Sequence, residues 1–196
     1  MMTDVRPAKF IAIDASTNSL AFALFSFGSL DIIGKINFEG KDIYQKCIDA
    51  SKKVGSFLQH NSFLNTDSMI IEHTVFMNSP KTAADLALVQ GAIIGAAGIS
   101  GIVNVAKVSP ITWQNYIGNK ALSKEEKLTI RSKNPGKSDA WYKSYERNIR
   151  KERTIKFIEI NYDKIIDDND VADACGIGHW GLNNWSKGMG ADVGGN

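Results

Sequence analysis

Phe10-Ile11-Ala12-Ile13-Asp14-Ala15-Ser16 is an uninterrupted apolar run that stops at a carboxylate followed by small residues. A strand covered on both faces loses the alternation of a half-exposed one, so the run reads as a buried strand that delivers Asp14 at its end. A single acid in that place is as readily a turn former or helix cap as a functional group. What it means depends on what the rest of the chain sets beside it.

Working outward, residues 20–27 and 30–38 predict two further strands, with Gly28-Ser29 as a tight connection between them. Across residues 42–59, Ile43, Cys47, Ile48, Val54, Phe57 and Leu58 recur at helical spacing with lysines opposite, which predicts a helix covering the sheet. Asp67-Ser68-Met69-Ile70-Ile71-Glu72 repeats the opening layout, a short apolar strand ending in an acid. Residues 82–100 form a helix with small and apolar residues on more than one side, suited to close packing on the sheet or to a contact with a second copy. Residues 101–108 add a parallel strand, and Ser109-Pro110 starts a helix carrying Trp113, Tyr116 and Ile117. The expected fold is α/β: a mixed five-stranded sheet, three antiparallel strands and then two parallel ones, flanked by helices.

The last structured segment, Asp167-Asp168-Asn169-Asp170-Val171-Ala172-Asp173-Ala174-Cys175-Gly176-Ile177-Gly178-His179-Trp180, reads as a helix with an acidic start. Capping accounts for Asp167 or Asp168, but Asp173 lies a turn inside and shares a face with Asp170. The small residues that follow must pack closely, which draws Asp173 inward, and burial without a cation is costly. Acids at two strand ends plus this pair suit a divalent metal, because hard cations take carboxylate oxygens.

Residues 119–156 hold twelve Lys or Arg against five Asp or Glu, together with Trp141, Tyr142 and Tyr145. Basic residues interleaved with aromatics suit a phosphate backbone and exposed bases, with a solvated helical face as the ordinary alternative. The candidate DNA contacts here are Lys120, Arg131, Lys133, Lys137, Lys143, Arg147 and Arg150, and Asn134-Pro135-Gly136 divides the segment into two helices.

The length of 196 residues suits a single domain over residues 1–185 with a basic helical insertion at 119–156, and the glycine-rich residues 186–196 are expected to be a disordered tail. A net charge of +2 says little by itself; the uneven placement of charge says more. Cys47 and Cys175 have no metal-ligand partners nearby and read as reduced thiols. The start of the chain lacks a signal-peptide core, and the apolar run 86–99 reads as too short to cross a bilayer. The expectation is a soluble protein of the cytoplasm, in a bacterial cell or a phage-infected host.

In this order and setting the sequence resembles the RuvC family of Holliday junction resolvases, within the RNase H-like nuclease superfamily. The matching features are Ile13-Asp14 followed by Ala15-Ser16-Thr17, Ile70-Ile71-Glu72, and Asp170-Val171-Ala172-Asp173-Ala174. Less generic are Glu72-His73-Thr74-Val75-Phe76-Met77 and Val108-Ser109-Pro110-Ile111-Thr112-Trp113, similar to a loop and a Pro-started helix of bacterial members. Departures are a Glu-to-Phe spacing one residue longer, Gln114 where bacterial members often have lysine, and the larger basic insertion, which points to a divergent, phage-like branch.

The resemblance implies a metal-dependent endodeoxyribonuclease that makes paired nicks in branched DNA, leaving 5′-phosphate and 3′-hydroxyl ends. It implies two Mg²⁺ or Mn²⁺ ions about 4 Å apart, held by Asp14, Glu72, Asp170 and Asp173, with Asp14 bridging both. Phe76 and Met77 would wedge against unstacked bases at the branch point. A four-way junction is nearly two-fold symmetric, so a homodimer is expected, with the helix at 82–100 as its seam. His73 and His179 lie near proposed ligands, with His73 read as structural. The alternatives are an RNase H-like nuclease acting on RNA–DNA hybrids or flaps, and a non-catalytic junction-binding protein. A sugar-kinase or actin-like fold would need glycine-rich phosphate loops and a second domain that this length does not provide.

Overall fold

In the computed structural model, which describes residues 6–60, 65–73 and 79–190, the opening stretch becomes β1 (Lys9–Ala15), the middle strand of a five-stranded sheet ordered β3-β2-β1-β4-β5. β2 (Ser19–Ser26) and β3 (Ser29–Asn37) pair antiparallel on one side, while β4 (Ser68–Glu72) and β5 (Asn104–Val108) pair parallel on the other. This is the expected mixed sheet. The β2–β3 turn differs by one residue from the sequence reading: Phe27 and Gly28, with φ of 51° and 91°, form it, and Ser29 already belongs to β3. A two-residue hairpin of matching twist needs both central residues left-handed, a conformation a bulky side chain rarely adopts, so Phe27 was hard to foresee there.

Alternate residues of β1 feed two different cores. Ile11 and Ile13 join Met69, Ile71, Ala50, Val54, Val89 and Ile93 on the side covered by α1 (Ile43–His60) and α2 (Pro80–Ile99). Phe10 and Ala12 join Ala21, Ala23, Phe25 and Ile70 on the side covered by α6 (Asn169–Gly188). By the same parity, Asp14 and Glu72 belong to the α6 side.

α6 lies very close to the sheet. A Cβ added to Gly178 would stand 2.0 Å from Cε2 of Phe25, so only glycine permits this approach. The helix runs on to Gly188 through a kink at Asn184, where φ is −141°, so residues 186–188 are helical rather than tail; residues 191–196 lie outside the described residues. Trp185 is buried there and its ring meets Phe10 at 5.0 Å.

The Pro-started helix is α3 (Pro110–Tyr116), capped by the Ser109 side chain. The basic segment forms two helices, α4 (Lys124–Lys133), with a Ser123–Glu126 capping box, and α5 (Asp139–Tyr162), which packs along α6. α2 has 20 residues and a window of mean hydropathy 1.5, enough by length and composition to span a membrane, contrary to the reading of residues 86–99 as too short. Its buried side, Val89, Ile93, Ala96 and Ala97, rests on α1 and β1. Its other side exposes Leu88, Ile94 and Ile99 around Gly91, Gly95 and Gly98, where an added Cβ would meet nothing within 4 Å.

Candidate active site

β1 and β4 run parallel with Ile13 opposite Ile71, so Asp14 and Glu72 are the next residues on neighbouring strands. They reach the same end of the sheet on the same face. α6 begins over that end, where the Asp168 side chain accepts hydrogen bonds from the backbone N–H of Asp170 at 2.8 Å and of Val171 at 3.2 Å. This cap starts the helix so that Asp170 falls in the first turn and Asp173 one turn later. Asp14, Asp170 and Asp173 line one cavity of about 270 Å³, and Glu72 is close enough for its charge to act on both Asp14 and Asp173.

Burial and mutual repulsion dominate the electrostatics. Burial, and then the charges of Glu72, Asp173 and Asp170, push the Asp14 carboxyl well above the usual range. Burial raises Glu72 as well, opposed by the Trp113 indole N–H, which donates to Glu72 Oε2 at 2.6 Å. Asp173 is pushed up to about 7 by burial and then by Glu72 and Asp170, against the pull of Lys151 and Thr154. Carboxylates gathered in this way call for positive charge.

Part of that charge comes from a residue to which the sequence reading gave no role. Ala21 pairs with Asp14 on one side and with Lys35 on the other, so Asp14 and Lys35 lie in one row across the sheet. Lys35 Nζ donates to Asp168 Oδ2 at 2.9 Å and to Asp170 Oδ2 at 2.6 Å. The register of two strand pairs reveals this, and no sequence motif encodes it.

Among the described residues, no three His, Cys, Asp or Glu side chains close on a single point as they stand. Asp170 is drawn to Lys35 and Glu72 to Trp113. The donor set nevertheless suits a hard divalent cation: it is all carboxylate, held at one strand end, and short of countercharge.

The remaining wall of the cavity is Gln114, Asn119, Arg147, Arg150, Lys151 and Thr154. Asn119 Nδ2 donates to the backbone oxygen of Arg150 at 2.8 Å and to Thr154 Oγ1 at 2.9 Å, fixing α5 beside the acids. Arg150 Nη2 donates to Gln114 Oε1. Arg150 Nε and Asn119 Oδ1 are buried without hydrogen-bond partners.

Of the basic residues singled out in the sequence, Arg147 and Arg150 line this cavity and the other five do not. Lys120, Lys133 and Lys143 are exposed and make none of the ion pairs found among the described residues. Arg131 pairs with Asp139 at 3.1 Å and lies over the Tyr142 ring, and Lys137 lies 5.6 Å from the Trp141 ring centre. Phe76 and Met77 fall in residues 74–78, outside the described residues. His73 is exposed, and His179 pairs with the Tyr162 hydroxyl at 2.7 Å in an aromatic cluster with Phe157. Lys35, Asn119, Lys151 and Thr154 are residues of this region that the sequence reading did not single out; Trp113 was noted on the Pro-started helix, without a role beside Glu72.

No family model matches the chain, and no curated protein matches it in sequence. Solved structures do match. The fold is that of the RuvC resolvases: Thermus thermophilus RuvC in complex with a Holliday junction substrate aligns with a TM-score of 0.64 at 12% identity, covering 92% of this chain and 97% of that one. A second Thermus thermophilus RuvC structure gives 0.62 at the same identity and coverage. The yeast mitochondrial Holliday junction resolvase Ydc2 gives 0.51 at 11% identity, covering 97% of this chain and 84% of that one.

Proposed function

We propose that the chain is a Holliday junction resolvase, a structure-selective endodeoxyribonuclease that hydrolyses one phosphodiester in each of two opposed strands of a four-way junction. One observation carries this reading: Asp14, Asp170 and Asp173 form one wall of a single cavity, and Arg147, Arg150 and Lys151 form the other. Carboxylates alone repel a phosphate, and cations alone bind it without cutting. Both around one space suit a phosphodiester held beside divalent metal.

Two Mg²⁺ or Mn²⁺ ions held by Asp14, Glu72, Asp170 and Asp173 would supply an activated water and a Lewis acid for the departing 3′ oxygen. Asp14, whose carboxyl feels the charges of Glu72, Asp173 and Asp170, would be central to that ligand set. Arg150, whose guanidinium is held by Gln114, would offer its charge to the phosphate, while Arg147 and Lys151 add charge along the same wall. Lys35 balances Asp168 and Asp170 at the outer edge.

Branched DNA as substrate is supported by the shared fold together with the exposed lysines of α4, α5 and their linkers. Paired cuts require two sites related by a two-fold axis, and the exposed apolar side of α2 is the surface we assign to a second copy. Labelled four-way junction, plain duplex and RNA–DNA hybrid, incubated with Mg²⁺, Mn²⁺ or chelator, test the reading when wild type is compared with Asp14→Asn and Asp173→Asn. Metal-dependent paired nicks in the junction alone, with 5′-phosphate ends and lost in both variants, are expected. Hybrid cutting would move the chain to a ribonuclease role, and junction binding without cutting would leave a DNA-binding protein.

A further inference from the structure

Trp113 is fully buried, yet its one polar atom is spent on a carboxylate that the reaction needs. Three elements meet at its ring. From α3 the indole N–H reaches Oε2 of Glu72 at the end of β4, at a distance of 2.6 Å. The opposite edge of the ring lies against α6, where a Cβ built on Gly176 would stand 2.6 Å from Cζ3 and 2.9 Å from Cε3. Gly176 is one turn beyond Asp173 on the same helix, so the ring is a spacer between the strand that carries Glu72 and the helix that carries Asp173. The backbone at Glu72 is fixed independently, because Gln90 Nε2 donates to its carbonyl at 2.9 Å and the next residue's N–H donates to Val108 at 2.8 Å. Only the side-chain rotamer is left to Trp113.

We infer that Trp113 is a positioning residue for metal binding: its indole N–H fixes the Glu72 side chain through Oε2, and its ring holds Glu72 and the α6 acids at a fixed spacing. A neutral, buried donor suits this task, since a second cation at that oxygen would compete with the metal. Its cost is that one lone pair of Oε2 is taken up by the indole. Groups that orient metal ligands in this way typically change metal affinity by about 10–100-fold when removed.

The inference rests on the nuclease reading, and the test separates the two. Mn²⁺ binding to the DNA-free protein is measured by calorimetry for wild type, Trp113→Phe, Gly176→Ala and Glu72→Gln, alongside junction affinity in chelator. Trp113→Phe deletes the donor and shortens the spacer; Gly176→Ala keeps the donor and pushes the ring. Both are expected to weaken Mn²⁺ binding about tenfold or more while junction affinity in chelator stays within about twofold of wild type. If Glu72→Gln weakens Mn²⁺ binding but Trp113→Phe and Gly176→Ala match wild type, the positioning role is wrong and the nuclease reading survives. If wild type binds no Mn²⁺, or Glu72→Gln makes no difference, the metal site itself fails and the positioning role falls with it. Should Trp113→Phe prove unfolded by circular dichroism, Gly176→Ala decides alone by the same two criteria.

Discussion

Asp14 is surrounded by other acids and buried with them, so in the metal-free protein its charge opposes folding. Asp14→Asn therefore raises the melting temperature measured in chelator, by about 2–4 °C for each kcal/mol of repulsion relieved at this chain length. The same change lowers junction cleavage by about a thousandfold or more, as losses of groups central to a reaction do. A lower melting temperature in chelator would show that the acids are not crowded together. The pH dependence follows the same logic. Asp14, Glu72 and Asp173 hold protons more tightly folded than unfolded, so between the ordinary Asp value of 3.8 and about 7 for Asp173 the folded state carries the extra protons. Stability is then present at low pH and is lost as pH rises through that window. Without metal, the melting temperature falls from about pH 4 to about pH 7, and Mn²⁺ removes most of the fall; a flat metal-free profile would contradict the burial. Asp14 and Glu72 were legible because each ends an apolar run. Lys35 was not, because its role depends on the register of β2 against two neighbours, which no local pattern states.

α6 sets how near its acids come to the strands. The Ala-Cys-Gly-Ile-Gly stretch announced close packing, but not that the ring of Phe25 fills the place of the missing Cβ at Gly178. Gly178→Ala should cost about 1–3 kcal/mol through overpacking, read as a lower melting temperature. It should also reduce cleavage at temperatures where the variant is still folded, because the helix that moves carries Asp170 and Asp173. Full activity in the folded variant would show that the spacing has slack. The extent of α6 was misread for a related reason. Its last turns look like a glycine-rich tail by composition, but burial of Trp185 against Phe10 and the Arg6 Nη1 hydrogen bond to the Leu182 carbonyl at 3.0 Å hold them, and both contacts span most of the chain.

For the whole molecule, two surfaces are committed to partners under the proposed function. Leu88→Asp combined with Ile94→Asp, on the exposed side of α2, is expected to yield monomers by light scattering, with paired cuts replaced by single nicks. A dimer that survives both changes would place the interface elsewhere. On the DNA side, Arg147→Ala and Arg150→Ala should each lower the salt dependence of junction binding by about one unit in the log–log slope, if each neutralises one phosphate. The three antiparallel strands, the two parallel ones and the flanking helices were legible in the sequence; the order that puts β1 in the middle of the sheet came from the structure. The outward face of α2 was legible only as an abundance of small residues, since a sequence does not say which of two apolar sides meets water.

α5 is the longest helix of the basic segment, and it is anchored where Asn119 joins Arg150 and Thr154, against the wall that also holds Asp14 and Asp173. Under the proposed function, the arm that would grip DNA is thus also masonry of the cutting chamber. Residues 119–156 cannot be exchanged for another binding arm as a detachable cassette, because the graft would remove Arg147, Arg150, Lys151 and Thr154 from that chamber together with the grip. A lineage that altered its preferred DNA shape through this arm would have had to rebuild half of its reaction vessel at the same time.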